Sequence, residues 1–353
     1  MFASYPLRRS FARVSLTYGF DNQDIKTLND TTRTYFEFSN FQGLSGPNSL
    51  DGIRTSRIVP AYNYNTVDHP ITPSRGKALF ASVSFAGLGG NVQMIAPTVN
   101  FKHFRKGLKK SHVIGVNVLG RLVTGYGGIA PPPFSRFYMG GENDIRGFEI
   151  FGISPIAWVP SRSVAPVLNS DGSSRTQKVI DTNGNVSFQP VTQDVPIYQL
   201  IFPGGDSSVV GNFEYRIPIF GPLTLALFAD GGFNKILFPT QLSLNPGRLS
   251  ELNGRFPQAG FDGQAIIDSD TQKFRASTGV EFQIMMPVVN APFRFYWAYN
   301  PIIVRKLLQP PVVADRALFP NQASFIGAVA RFGRSYPFVE KRSTFRFTIS
   351  RTF

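Results

Sequence analysis

Apolar and polar residues alternate with a period of two along most of this chain, the spacing that puts successive side chains on opposite faces of a β-strand. From Phe11 to Phe20, Ala12, Val14, Leu16, Tyr18 and Phe20 alternate with Arg13, Ser15, Thr17 and Gly19. From Gly76 to Ala86, Leu79, Ala81, Val83 and Phe85 oppose Ser82 and Ser84; from Ser111 to Tyr126, Ile114, Val116, Val118 and Leu122 oppose Gly115, Asn117 and Arg121. Phe213, Tyr215 and Ile217 oppose Asn212, Glu214 and Arg216, and Leu223, Leu225 and Leu227 oppose Thr224, Ala226, Phe228 and Asp230. Phe274, Ala276, Val280, Phe282 and Ile284 alternate with Arg275, Ser277, Glu281 and Gln283, and Phe293, Phe295, Trp297 and Tyr299 with Arg294 and Asn300. The chain closes on Phe345, Phe347, Ile349 and Phe353 against Arg346, Thr348, Ser350 and Thr352. With two weaker runs, near 54–67 and 91–104, the pattern predicts ten strands. Most are near the ~9–11 residues that cross a bilayer at a tilt.

The connections sort by length. Short turns fall at 68–74, 105–110, 220–222 and 287–292, and long segments at 21–53, 127–205, 233–272 and 304–342. Short turns at one end and long loops at the other are the signature of a transmembrane antiparallel β-barrel. A soluble sandwich would not need that asymmetry, and its outer faces would be polar. Segment 160–195, rich in Ser, Asp, Asn and Gly, reads as an exposed loop insertion.

Composition narrows the class further. Hydrophobic residues make up 42 % of the 353, with 34 Phe, 12 Tyr and 2 Trp, while only 16 % are charged, against ~25 % in an average soluble domain. The 33 Gly and 27 Pro do not suit a helical protein, and no apolar run approaches the ~18 residues of a membrane helix. A helical transporter and a disordered chain are both excluded. The net charge of +14 raises a nucleic-acid partner. The basic residues are spread along the chain, however, and the densest cluster, Lys102–Lys110, is small. A basic lumen and basic loops near anionic lipid headgroups account for the charge better, so no nucleic-acid partner is expected.

Chemistry is scarce. Cysteine is absent, and the three histidines, His69, His103 and His112, lack metal-ligand spacing. Asp181–Asn185 reads as a turn rather than a calcium loop, and neither a nucleophile elbow nor a P-loop is present. No catalytic, cofactor-binding or metal site is expected.

The most informative stretch is Phe134-Ser135-Arg136-Phe137-Tyr138-Met139-Gly140-Gly141-Glu142-Asn143-Asp144-Ile145-Arg146-Gly147-Phe148. It resembles the signature loop of the outer-membrane barrel-assembly family, the BamA-like and bacterial surface antigen barrels: an aromatic approach, Gly140-Gly141, then Ile145-Arg146-Gly147-Phe148. Residues 65–70 with 73–76, 212–218 and 226–232 are similar to the family's turn and strands in the same order, and 345–353 to its C-terminal β-signal, with Phe345, Phe347, Ile349 and Phe353 in place and Ser350 where Gly is common. The resemblance implies that 127–205 is a long extracellular loop folding back into the lumen, where Arg146 meets Glu214 and Asp230. The alternation independently puts both acids on the polar, inward face.

The resemblance also implies that the strand starting at Phe11 is the seventh of sixteen. Residues 1–353 would then be an outer-membrane β-barrel domain incomplete on its N-terminal side, holding the last ten strands and no POTRA domain. The N-terminus, Met1-Phe2-Ala3-Ser4-Tyr5-Pro6, lacks a signal peptide's apolar core, which agrees with a C-terminal fragment of a larger protein. The expected function is folding and insertion of β-barrel proteins in the bacterial outer membrane, without catalysis or cofactor. Expected partners are outer-membrane lipid and nascent barrel proteins, with accessory assembly lipoproteins as further candidates. An autotransporter-assembly or two-partner secretion barrel of the same superfamily is the nearer alternative. A passive porin or surface adhesin is the more distant one.

Overall fold

The computed structural model describes residues 1–8, 10–28, 36, 51–180, 182, 185–286 and 291–349. Eleven strands follow one another in a single antiparallel sheet: β1 (Phe2–Pro6), β2 (Ala12–Gln23), β3 (Ile53–Asn65), β4 (Gly76–Ala86), β5 (Met94–Lys106), β6 (Val113–Leu122), β7 (Ser207–Phe220), β8 (Leu223–Lys235), β9 (Arg275–Met286), β10 (Ala291–Ile302) and β11 (Ser343–Ile349). Each pairs with its neighbours in sequence, and among the described residues β1 and β11 form the two ends of the path.

The faces of this sheet invert the ordinary rule of burial. On the outward face Leu16, Phe20, Phe213, Leu227, Phe282, Trp297 and Phe347 are exposed; on the inward face Asn212, Glu214, Asp230, Arg275, Glu281 and Arg294 are buried. A wall with apolar residues outside and charges inside suits lipid around it and a packed polar lumen within it. It would aggregate in water.

Ten strands were expected; among the described residues eleven form the path of the sheet, and Thr124–Gly125 pairs with β5 off that path. β1 escapes the alternation test because five residues hardly define a period and Pro6 argues against a strand. Proline is tolerated there because an edge strand needs ladder donors on one side only, and β1 pairs with β2 from Phe2↔Thr17 to Pro6↔Arg13.

The long connections are also more ordered than their polarity suggests. Within 127–205, strands Ile156–Pro166 and Thr192–Ile201 form a hairpin that Ile266–Asp268 joins. Ala157, Val159 and Ile201 pack there against Leu242, Leu244, Leu252, Phe256 and Phe261, residues carried by the 236–274 connection and its helix α1 (Pro246–Arg255). The 303–342 connection adds helix α2 (Gln322–Phe332), whose Ala328 packs with Ala165, Val195 and Phe319. The expected exposed insertion at 160–195 is therefore corrected at both ends, which belong to the buried hairpin. Between them residues 169–175 and the Thr176–Ile180 and Val186–Pro190 ribbon stand mostly exposed. The Ser, Asp and Gly cluster at the centre of the segment masked the apolar runs flanking it.

Candidate functional site

The site is built where the 123–206 connection re-enters the sheet. Isolated bridges Phe137↔Gly205 and Met139↔Ile153 hold the stem of this loop. The Asn234 side chain, from β8, donates to the Phe137 and Ile153 carbonyls at 2.6 and 3.1 Å. Beyond the stem Gly140 and Gly141 take φ of 110° and 89°, which an L side chain rarely adopts. Ile145 and Phe148 are buried with Met139, Ile153 and Val210, giving the tip an apolar footing on the β7 wall.

Gly147, with φ 88°, lies close against the wall. A Cβ there would lie 2.5 Å from Asn300 Oδ1 and 2.8 Å from Ala298 Cβ. Its carbonyl accepts hydrogen bonds from Asn300 Nδ2 (3.0 Å) and Thr344 Oγ1 (2.8 Å), tying the tip to β10 and β11.

Arg146 then reaches across three strands. Nε and Nη2 donate to the two Asp230 oxygens at 2.7 Å each, and the Arg146 backbone N–H adds a third bond to Asp230 at 3.1 Å. Nη1 donates to Glu214 Oε1 at 2.6 Å and to Glu281 Oε2 at 3.3 Å. The guanidinium lies over the Phe228 ring, 3.9 Å from its centroid. Strand register explains the fit: Glu214 pairs with Phe228, two residues from Asp230, and Phe228 pairs with Gly279 on the next strand. The ring therefore lies between the acids, and Gly279 leaves it room.

The acids are shared with the wall's own cations. Arg216 donates to Glu214 Oε2 at 2.7 Å, and Arg294 holds Glu281 through two bonds of 2.7 Å. Three guanidinium groups thus face three carboxylates, and the cluster is neutral. Side chains of Arg146, Glu214, Asp230, Glu281 and Arg294 are all at most 2 % exposed. Buried charges at this density persist only when paired and hydrogen-bonded. Asn212 adds a bond to Asp230 Oδ1 (2.9 Å) and one to the Asp144 carbonyl (2.7 Å). Nearer the rim, Lys341 donates to Glu149 at 2.7 Å and lowers its carboxyl pKa, against partial burial and with help from Arg346.

The structure brings Gly140, Gly141, Ile145, Arg146, Gly147 and Phe148 together with Glu214 and Asp230. Sequence reasoning did not assign Glu281, Arg216, Arg294, Asn300 or Thr344 to the site. All five lie on the polar side of an alternating run, so the pattern put them in the lumen, but nothing in it said which would meet the loop. Phe345, Phe347 and Ile349 project outward from β11 beside β10, and Phe353 lies outside the described residues. The histidines stand apart, and among the described residues no three metal-ligand side chains cluster.

An antiparallel wall that is apolar outside and charged within, with a loop tip bound inside it, defines an outer-membrane β-barrel. The chain matches the Omp85 superfamily domain over residues 3–353 and belongs to that superfamily. It is 26 % identical over 147 residues to the outer membrane protein assembly factor BamA of Nitratidesulfovibrio vulgaris, an alignment covering 41 % of this chain and 17 % of that protein. It is 27 % identical over 113 residues to BamA of Neorickettsia risticii, covering 31 % and 15 % respectively. The crystal structure of Haemophilus ducreyi BamA lacking POTRA domains 1–3 shares the fold, with a TM-score of 0.51 at 14 % identity. That match covers 98 % of this chain and 53 % of the solved one. The chain thus spans about half the length of that solved chain and its alignments cover less than a fifth of either curated relative; its place is the outer membrane.

Proposed function

We propose that the protein folds and inserts β-barrel proteins into the outer membrane, taking nascent barrels as its clients and using no catalytic group. One observation supports this above the others: the Ile145-Arg146-Gly147-Phe148 tip is bound inside the lumen by acids from three consecutive strands, in a chain of the Omp85 superfamily. A bound tip of this kind fixes the wall's shape from within, a mechanical role and not a chemical one. The test replaces the native protein in its host with an Arg146→Ala form and measures folded, heat-modifiable barrel proteins in the outer membrane. The expected result is a general fall in folded barrels and accumulation of unfolded ones in the periplasm. A normal barrel inventory with loss of one exported passenger would assign the protein to secretion instead. No change in either would leave it a passive barrel.

A further inference from the structure

From His69 to Gly141 the chain has nine Lys and Arg and no Asp or Glu, although it carries 22 acids in all. This stretch forms β4, β5, β6 and their turns. Arg121, near the long-loop end, faces Asp144, and Arg136 has Asp206 in its field. Six of the remainder, Arg75, Lys77, Arg105, Lys106, Lys109 and Lys110, gather at the short-turn end, which is the periplasmic end of such a barrel.

The register decides where they point. Lys77 pairs with His103 and shares its face with Leu79 and Ala81; Arg105 pairs with Ile114 and shares its face with Phe101 and Val99. Lys77 and Arg105 are therefore on the lipid side. Directly above them the same three strands present Leu79, Ala81, Val83, Phe85, Val99, Phe101, Val116 and Val118. Between the strands, the 107–112 turn carries Lys109 and Lys110 exposed beside Leu108, itself 94 % exposed. The turn is held in shape: His112 Nδ1 lies 2.7 Å from the Tyr215 hydroxyl, which also accepts from Leu108 N at 3.4 Å. Amphipathic rings favour headgroup depth. Asp68, in the 66–75 turn, is occupied by Ser74 and the Arg75 backbone N–H. Among the described residues Lys77, Arg105, Lys109 and Lys110 make no ion pair.

We infer that this rim binds an anionic phospholipid of the periplasmic leaflet. The acyl chains lie on the Leu79–Phe101–Val118 face, the phosphate is held between Lys77 and Arg105, and Leu108 enters the headgroup boundary with Lys109 and Lys110 above it. Each cation near an anionic surface adds to the attraction, and the arrangement suits a lipid rather than an acidic protein because the apolar face continues directly from the charges.

The test places a Leu108→Trp reporter in the protein, reconstituted in phosphatidylcholine vesicles containing a minor fraction of phosphatidylglycerol. Bromine is carried on the acyl chains of one lipid or the other, and emission of the protein without the reporter is subtracted. Brominated phosphatidylglycerol is expected to quench the reporter about threefold more than an equal fraction of brominated phosphatidylcholine, with the difference shrinking in high salt. Changing Lys77, Arg105, Lys109 and Lys110 together to Gln should equalise the two lipids while the heat-modifiable gel shift is kept. Equal quenching in the unaltered rim overturns the inference, as does unquenched, water-like emission with both lipids, the result for a solvated turn or one covered by a protein. Should the fourfold variant fail to fold, the lipid comparison and its salt dependence decide alone. None of these readouts depends on assembly activity.

Discussion

Arg146→Ala removes four side-chain bonds at once: two to Asp230, one to Glu214 and one to Glu281. The consequences differ among the acids. Glu214 keeps Arg216 and Glu281 keeps Arg294, but among the described residues Asp230 retains only Asn212 and the residue-146 backbone N–H. The neutral cluster acquires a net charge of −1 in a site whose acid side chains have no solvent exposure. Stranding one buried partner costs ~3–5 kcal/mol, and with burial this complete no discount for screening applies. That shifts the docking equilibrium of the tip by roughly two to four powers of ten. The assay is external proteolysis of the 123–206 connection in outer-membrane vesicles, alongside the midpoint of the heat-induced gel shift. Cleavage should accelerate and the midpoint fall. Asp230→Asn alone should cost less, since Glu214 and Glu281 still hold Arg146, and adding it to Arg146→Ala should recover part of the loss by removing the stranded charge. Arg146→Lys should rescue only partly, because an ammonium cannot bridge acids on three strands in one plane. Unchanged proteolysis in Arg146→Ala, or strict additivity with Asp230→Asn, would falsify this account of what holds the loop.

Gly147→Ala should lower the gel-shift midpoint by an amount equivalent to ~2–4 kcal/mol, through overpacking against Asn300 and Ala298 plus a disfavoured φ. Gly172→Ala, at φ 85° with open space around its Cβ, should cost only about 1 kcal/mol, and equal losses at both sites would argue against a packed tip. Leu227→Arg puts a charge on the lipid face and should reduce folded stability by ~2–4 kcal/mol in bilayer refolding titrations; an unaffected titration would mean that this face does not meet lipid. At the 66–75 turn, partial burial pushes the Asp68 carboxyl up, but the Ser74 hydroxyl and the Ser74 and Arg75 N–H groups outweigh it and bring the pKa from 3.8 down to about 2. Its contribution to the turn is therefore complete above 3.8 and lost as pH falls through about 2. Amide exchange of residues 66–75 should accelerate over that window in the native protein, and Asp68→Asn should abolish the pH dependence.

Most of the wall was legible because a barrel strand enforces strict alternation over its whole length, so Phe213 through Ile217 or Phe293 through Tyr299 declare both faces locally. β1 was not, since five residues ending in Pro6 carry too little period. The buried hairpin at 156–166 and 192–201 was hidden for another reason: its core partners, Leu242, Leu252 and Phe261, come from a connection far along the chain. At the site, Arg146, Glu214 and Asp230 stood out through the family resemblance of the loop and of the two strands that carry the acids, and the alternation independently turned both acids inward. Glu281 and Arg294 did not, because nothing local distinguishes them from other lumen polar residues such as Arg275. Only the assembled register brings Glu281 within reach of the tip.

The three acids that receive Arg146 come from separate strands and lie 68, 84 and 135 residues away from it in sequence. A strand's faces exchange when it slips by one residue, so a slipped β7 would turn Glu214 toward lipid and Phe213 toward the lumen. A slipped β8 or β9 would do the same to Asp230 or Glu281. In any such misassembly the tip would find too few acids, and a guanidinium could not remain buried there. Docking of one arginine is therefore a register check on three strands at once: the loop can close only over a wall whose strands are already correctly aligned.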